Sequence, residues 1–204
     1  MVYGLAGANL EVDLSRGKIE KKEADPKLVE TCLGGLGTSA RIMWDRVPPE
    51  VDAFSADNLL IFSTGVLAGT PAPAFNKASV TFKSPVTNML AISTLGGFWG
   101  PELKFAGYDM IIFSGKSPTP VYLWIDDDRV ELRDASHLWG KDIPGTERAI
   151  REELGEDDIE ILYIGLAAEN KVYAASIEGT NGVSASRAGA GTIMGDKNLK
   201  AIAV

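Results

Sequence analysis

The sequence predicts an α+β fold, mostly sheet, with helices at its edges and an internal duplication. Three observations carry this. From Asn58 onward, short β-rich runs are bounded by Gly, Pro, Asp or Thr rather than joined by long amphipathic helices. Helical patterns are few, and each carries its own start and stop signals. The chain also repeats itself in order. Leu59–Thr70 ("LLIFSTGVLAGT") resembles Ile159–Asn170 ("IEILYIGLAAEN"), Lys77–Asn88 resembles Lys171–Gly182, and Gly96–Gly115 resembles Ala188–Val204. Two glycine-rich turns in a duplicated unit can stand on either side of a pseudo-twofold axis, an arrangement suited to a flat or two-lobed ligand.

Residues 3–24 read as a hairpin. Leu10, Val12 and Leu14 alternate with polar residues, Ser15–Gly17 turns the chain, and Ile19 starts the return strand. Asp25-Pro26 opens a helix, with Asp as N-cap and Pro at the first helical position. Leu28, Val29, Cys32 and Leu33 give it an apolar face, and Gly34-Gly35 stops it. A second helix is expected from Thr38 to Arg46, with Ile42 and Met43 inward. The glycines between the two helices, Gly34, Gly35 and Gly37, suit a tight interhelix turn or a close approach to a ligand.

Strands are expected at Leu59–Phe62, Ala78–Lys83, Met89–Ser93, Met110–Phe113, Val121–Ile125, Val130–Arg133, Ile159–Ile164 and Lys171–Ile177. Gly100-Pro101 starts a short helix that Gly107 ends. Pro144-Gly145-Thr146 starts a longer one with Ala149, Ile150 and Leu154 on one face and Gly155 at its end. The last stretch, Glu178–Val204, runs through a polar loop, a small-residue turn and a short helix start into the apolar strand "KAIAV". With no linker, the whole of residues 1–204 reads as one domain, and the apolar strand at its end reads as a piece of a longer protein.

At 204 residues the chain can bury one sizeable core, and 45% apolar and 24% charged residues are ordinary for a globular protein. A formal net charge of −8 and the lack of a basic run argue against nucleic acid. No stretch suits a membrane span or a signal peptide, so a cytoplasmic location is expected. The single cysteine, Cys32, rules out a disulfide within the chain and a cysteine-ligated cluster. Asp126–Asp128 lacks the glycine and distal Glu of a calcium loop and reads as a charged hairpin turn.

Among the chemistry-bearing residues, His137 reads as a loop histidine, and no nucleophile elbow accompanies it. Glu169, after the small run Gly165–Ala168, reads as a carboxylate holding a turn. Gly189–Gly195 ("GAGTIMG") fails the dinucleotide fingerprint by the spacing of its third glycine. Trp44, Trp124 and Trp139 read as core or interface anchors, whereas Trp99, between Gly97 and Gly100, stands where its ring could pack beside a ligand. Arg187 sits among Gly182, Ser184, Ser186, Gly189 and Gly191, where backbone N–H groups beside a guanidinium make an anion cradle. Small residues in that pattern also let a helix pack tightly on a sheet, which is the commoner use of such turns, and composition leaves both readings open.

Four stretches together are more specific: "KSPVTNMLAISTLGGFWGPELKFAGYDMIIFSGK", "DASHLWGKD", "IGLAAEN" and "AGAGTIMGDKNLKAIAV". In this order, and across nearly the whole chain, they resemble the N-terminal domain of the tungsten-containing aldehyde:ferredoxin oxidoreductase family. The resemblance implies two β-sheets in a saddle related by pseudo-twofold symmetry, with a bis-pterin cofactor carrying tungsten, or molybdenum, resting on it. It further implies downstream helical domains that supply a four-iron cluster and the acid/base residues, so no catalytic residue and no metal ligand is assigned in this segment.

The resemblance places cofactor contacts at Lys77, Thr94, Gly96 and Gly97 in the first half and at Ser184, Ser186, Arg187, Gly189 and Gly191 in the second. Cations and backbone N–H groups there would meet pterin phosphates. Four positions depart from the family pattern: Lys77 and Val183 stand at Arg positions, Thr94 at an Asn and Ser186 at a Gly. Lys77 keeps the charge but loses the bidentate fork. The implied function is oxidation of an aldehyde to a carboxylic acid with ferredoxin, or another redox subunit, as acceptor. The expected partners are that acceptor, a small aldehyde, the downstream domains and a second copy of the chain in a homodimer. The alternative is a non-catalytic scaffold or subunit-interaction domain that keeps the fold without the cofactor.

Overall fold

The computed structural model describes residues 4–204. The beginning of the expected first hairpin, at residue 3, lies outside them. The described residues form two six-stranded sheets. The first contains β1 (Ala8–Asp13), β2 (Lys18–Glu23), β3 (Leu60–Thr64), β4 (Ala78–Lys83), β5 (Leu90–Leu95) and β6 (Met110–Ser114). The second contains β7 (Val121–Asp126), β8 (Arg129–Asp134), β9 (Ile161–Tyr163), β10 (Ile177–Gly179), β11 (Val183–Ala185) and β12 (Leu199–Ala203). Their strand orders are β2-β1-β6-β3-β4-β5 and β8-β7-β12-β9-β10-β11.

The two sheets are wired identically. A hairpin comes first in each, and its first strand pairs in parallel with the last strand of the unit, β1 with β6 and β7 with β12. Every other neighbouring pair is antiparallel in both sheets. The duplication is therefore real and wider than the sequence suggests, because it includes the two hairpins 8–23 and 121–134. Their sequences share little beyond alternation.

Alternation decides which side each residue buries. Leu60, Phe62, Ile111 and Phe113 of the first sheet share one core with Leu123, Ile125, Leu162 and Ile202 of the second. Their neighbours point the other way. Ile61, Met110 and Ile112 pack against Met43 of α2 (Gly35–Arg46), and Tyr122, Ile161, Tyr163 and Ala201 pack against Ile150 of α4 (Ile143–Leu154). Two shorter helices, α3 (Trp99–Phe105) and α6 (Ala190–Asp196), enter the shared core through Trp99, Leu103, Ile193 and Met194. Every residue of α6 is buried, which its small Ala190, Gly191, Thr192 and Gly195 make feasible.

The capping signals hold. The Asp25 side chain accepts from the Lys27 N–H ahead of α1 (Pro26–Cys32), and Asp142 accepts from Gly145 ahead of α4. α2 begins at Gly35, three residues before the expected start, so Gly35 and Gly37 belong to the helix and only Leu33 and Gly34 separate it from α1. A Cβ on Gly37 would lie 2.1 Å from the Cys32 carbonyl oxygen, so these glycines serve the tight interhelix turn. Leu33, expected on the apolar face of α1, is instead its left-handed cap and 80% exposed. The Asp126–Asp128 turn joins β7 to β8 as expected, with Asp127 at φ +51° and Asp128 paired to Lys21 at 2.6 Å.

One expected strand is corrected. Residues 171–176 are turns, and the strand begins only at Ile177. After the short helix α5 (Leu166–Glu169), the chain folds back on itself, with the Val172 N–H on Ala167 O and the Ala175 N–H on Val172 O. The Ala175 carbonyl then accepts from Gly191 at the start of α6. Helix contacts have taken the backbone groups that a ladder would have used.

Candidate functional site

The repeat can be aligned residue by residue from the strand registers. In the first unit Ser79 stands opposite Thr94 and Ala78 opposite Leu95. In the second, Glu178 stands opposite Ser184 and Ile177 opposite Ala185. Ser63 pairs with Ser79 as Tyr163 pairs with Glu178, and this anchors the alignment. Thr94 therefore corresponds to Ser184, Gly96 to Ser186, Gly97 to Arg187, and Ser93 to Val183. The expected match of Lys77–Asn88 with Lys171–Gly182 is corrected, because Ser79 falls on Glu178 and not on Tyr173. Three of the residues that the resemblance assigned to each half fall on equivalent positions, whereas Lys77, Gly189 and Gly191 have no assigned counterpart.

The edge strands β5 and β11 also meet. The Arg187 N–H donates to Ser93 Oγ at 3.0 Å. A Cβ on Gly97 would lie 3.3 Å from Val183 Cγ2. These two approaches join the same pair of positions exchanged between the units, 97/187 of one and 93/183 of the other, and only the first is a bond. Reciprocal approaches of this kind are what a twofold axis produces, so the pseudo-twofold axis passes between β5 and β11. Two further links cross the seam nearby: Ser84 Oγ donates to Ala188 O at 2.8 Å, and Gly189 lies where a Cβ would meet Pro85 at 2.9 Å.

Around this seam the expected residues divide into two groups. Lys77, Thr94, Ser186 and Arg187 are exposed, and Gly96, Gly97 and Ser184 are half-buried. Lys77 precedes β4 directly, one step beyond the Ala78–Leu95 pair, which places it level with Gly96. A Cβ on Gly96 would meet nothing within 4 Å, so this side of the turn is open. Among the described residues neither Lys77 nor Arg187 joins an ion pair. Cations without carboxylate partners, hydroxyls and a turn open at Gly96 are groups of the kind that bind anions.

Gly189 and Gly191 belong to the second group, and both are buried. A Cβ on Gly191 would stand 2.2 Å from Ser176 O, and its N–H is committed to Ala175 O at 3.0 Å. Gly100, the second residue of α3 as Gly191 is of α6, rests in the same way on Asn76 O, at 3.2 Å from a built Cβ. In both units a glycine in the first turn of the last helix lets that helix sit on the segment entering the strand. The small residues thus serve close packing at Gly97, Gly189 and Gly191, and leave the chain open at Gly96.

Trp99 is corrected. It is 1% exposed, stacks against Phe62 with centroids 5.7 Å apart, and donates its indole N–H to Ile202 O at 3.3 Å. It is a core anchor tying α3 to β12. Its neighbour Phe98, next in sequence to Gly97, is 57% exposed. Trp44, expected as an anchor, is 80% exposed. His137 Nε2 lies 3.0 Å from Glu153 on the surface. Glu169 holds a turn, with Oε2 accepting from the Gly140 N–H at 2.8 Å and Oε1 paired with the buried Lys200, whose ammonium burial pushes down from the usual lysine range. Glu178 was not singled out from sequence. Its Oε1 accepts from Ser184 Oγ at 3.0 Å and from Ser176 Oγ, so the Ser184 hydroxyl is already oriented by a carboxylate. Only the register reveals it.

The family model of the aldehyde ferredoxin oxidoreductase N-terminal domain matches residues 9–204. A tungsten-containing aldehyde ferredoxin oxidoreductase of Pyrococcus furiosus is 44% identical over the whole chain, which covers 34% of that protein. An aliphatic sulfonate oxidoreductase, WOR-like subunit, of the same organism is 36% identical over 98% of the chain and 34% of its own length. A chain of the active site complex BamBC of benzoyl coenzyme A reductase, solved with 1,5-dienoyl-CoA, superposes with a TM-score of 0.98 at 55% identity, covering all of this chain and 31% of that one. The chain spans about a third of the length of each of these relatives.

Proposed function

Because the chain belongs to the aldehyde ferredoxin oxidoreductase family, to whose N-terminal domain it corresponds, we propose that residues 1–204 act as the cofactor-holding domain of a tungsten-pterin oxidoreductase. The observation that supports this is the approach of Arg187 to Ser93 and of Gly97 to Val183, which brings the chain at 93–97 beside that at 183–187. Lys77 and Arg187 would hold the phosphates of the pterin, each from its own unit. Thr94, Gly96, Gly97, Ser184 and Ser186 would line the rings, with Glu178 orienting the Ser184 hydroxyl. Gly189 and Gly191 would act one step back, by seating α6. When bound, the tungsten-pterin group would supply the redox chemistry, and molybdenum is the alternative metal.

Two substrate readings follow from the relatives. Identity is higher to the benzoyl-CoA reductase chain, 55%, than to the aldehyde enzymes, 43–44%. On that ground we take the substrate of the whole protein to be an aromatic acyl-CoA thioester. Its ring would gain two electrons from a low-potential donor such as ferredoxin or a redox subunit, and two protons delivered from solvent. The second reading is oxidation of an aldehyde, with water as the oxygen source and ferredoxin as acceptor, and it is favoured by the family's aldehyde-oxidising members. In both readings a downstream four-iron cluster would pass the electrons.

The test is metal and pterin analysis of the full-length protein purified without oxygen, followed by assay with benzoyl-CoA under a strong reductant and with aldehydes under an oxidised acceptor. Tungsten with two pterins and thioester reduction are expected. Aldehyde oxidation alone would select the second reading. A protein without metal or pterin, from a host that makes both, would leave the scaffold role.

A further inference from the structure

The chain passes from β10 to β11 through the turn Thr180–Gly182. Both residues at its tip have positive φ, +64° at Asn181 and +74° at Gly182. Tight turns between antiparallel strands favour that conformation, and Asn followed by Gly adopts it at the least cost. The geometry of the turn therefore selects the dipeptide in which an asparagine amide is most easily attacked by the next backbone nitrogen. Glycine offers no Cβ to hinder that attack, and asparagine is among the thermolabile residues.

Of the asparagines in the chain, only Asn181 precedes a glycine. Three others have committed amides. Asn58 donates to Ala53 O and Lys83 O, Asn170 to Leu166 O, and Asn198 to Ser117 O. The Asn181 side chain makes no such bond among the described residues, and both Asn181 and Gly182 are exposed. A Cβ on Gly182 would meet nothing within 4 Å, so solvent reaches this side of the turn. Ring closure needs rotation about the Asn181 Cα–C bond, where ψ is 22°. Little opposes it. β10 and β11 have three residues each, paired at Ile177–Ala185, Glu178–Ser184 and Gly179–Val183, and β11 ends the strand order of its sheet.

We propose that Asn181 is a site of spontaneous deamidation and isomerisation. The Gly182 backbone nitrogen gives its proton to solvent base and forms a bond to Asn181 Cγ. The Cγ–Nδ2 bond breaks, and the amide nitrogen takes up a proton from water and leaves as ammonia. Water then opens the cyclic imide at either carbonyl, giving aspartate or isoaspartate. No electrons are transferred, and water is the only co-reactant. Both products carry a new negative charge. Isoaspartate also lengthens the main chain by a carbon at the turn that sets the β10–β11 register. The residue after this turn is Val183, which approaches Gly97 at the seam. The chemistry is independent of cofactor binding.

Trypsin cuts after Lys171 and Arg187, which leaves Asn181 as the only asparagine of the peptide Val172–Arg187. Full-length protein kept for days in mildly alkaline buffer, beside a sample unfolded in urea, is followed through this peptide by mass spectrometry and chromatography. Conversion to two acidic species, isoaspartyl in excess, is expected in the native protein at a rate within about tenfold of that in urea, as a turn that opens locally allows. A peptide that converts in urea and stays intact in the native protein overturns the proposal, because the turn then blocks ring closure. Asn181→Gly keeps the positive φ and removes the amide, so its peptide should stay unchanged. The aged wild type should lose a few degrees of thermal midpoint through its altered edge. Asn181→Gly aged beside it should lose none, and an equal loss in both would overturn the structural consequence.

Discussion

The Arg187 backbone N–H donates to the Ser93 hydroxyl at 3.0 Å across the line where the two sheets meet. Its symmetry counterpart is the approach of Gly97 to Val183. One position thus carries a hydrogen bond in one unit and, in the other, a glycine on which a Cβ would come within 3.3 Å of Val183 Cγ2. Gly97 has φ +83°, a conformation in which a Cβ is strained even before it meets Val183. Gly97→Ala should destabilise the full-length protein by about 1–2 kcal/mol in denaturant melts. Adding Val183→Ala should recover the steric part only. Full recovery would show that the backbone conformation is unstrained.

Removing the exposed cations tests the cradle. Arg187→Ala and Lys77→Ala should each lower pterin occupancy, by roughly tenfold to a hundredfold in affinity for a lost charge-assisted contact. Thermal stability should stay near wild type when both forms are stripped of cofactor. Metal content equal to wild type in both variants would remove these residues from the site.

The pair of Lys200 and Glu169 is buried, at 0% and 4% side-chain exposure. Breaking it on one side leaves an unmatched charge, and Lys200→Met should cost about 3–5 kcal/mol. The double change Lys200→Met with Glu169→Leu should be much milder, because the desolvation cost of both charges disappears. A urea titration of the four forms measures the coupling.

Lys197 carries a pH signature. Burial pulls its ammonium down to about 8 from the ordinary 10.5, while it donates to Gly115 O at 2.9 Å. Between those two values the unfolded chain holds the proton and the folded one has released it. Stability therefore rises with pH across that window, by at most about 3 kcal/mol. Below pH 8 the cost of a buried charge is fully present. Lys197→Met should be more stable than wild type at pH 7, and the difference should shrink toward pH 10. A pH-independent difference would mean that the ammonium is not strained by burial.

Trp99→Phe separates the core role from a ligand role. Losing the indole bond to Ile202 O should cost about 1 kcal/mol. Tungsten and pterin content should not change. Phe98→Ala should do the reverse, leaving stability alone and altering ligand binding at the seam, as cofactor content in the purified protein would show.

Local rules carried much of this protein. The alternation in Leu60–Phe62 and Ile111–Phe113, the Asp25 and Asp142 caps and the Asp127 turn depend on periodicity and φ preferences, which neighbouring residues determine. So does the duplication of strand, turn and small-residue segment, because both copies obey the same packing. The loops at 96–97 and 184–187 were legible as special for the same reason. What lies between these pieces was not legible. The hairpin 121–134 copies 8–23 in wiring while sharing only its alternation. The strand expected from Lys171 starts at Ile177 because α6 takes the Ala175 carbonyl. Trp99 and Gly191 sit in loop-like sequence yet belong to the core. Glu178 reaches the site only through its pairing with Ser184. Each of these outcomes rests on a partner brought near by strand order, and in the seam that partner is 94 residues away. Sequence determined which segments could be strands, caps and open turns. Tertiary structure decided which turns face each other, because register and contact across two sheets depend on pairings that no local pattern encodes.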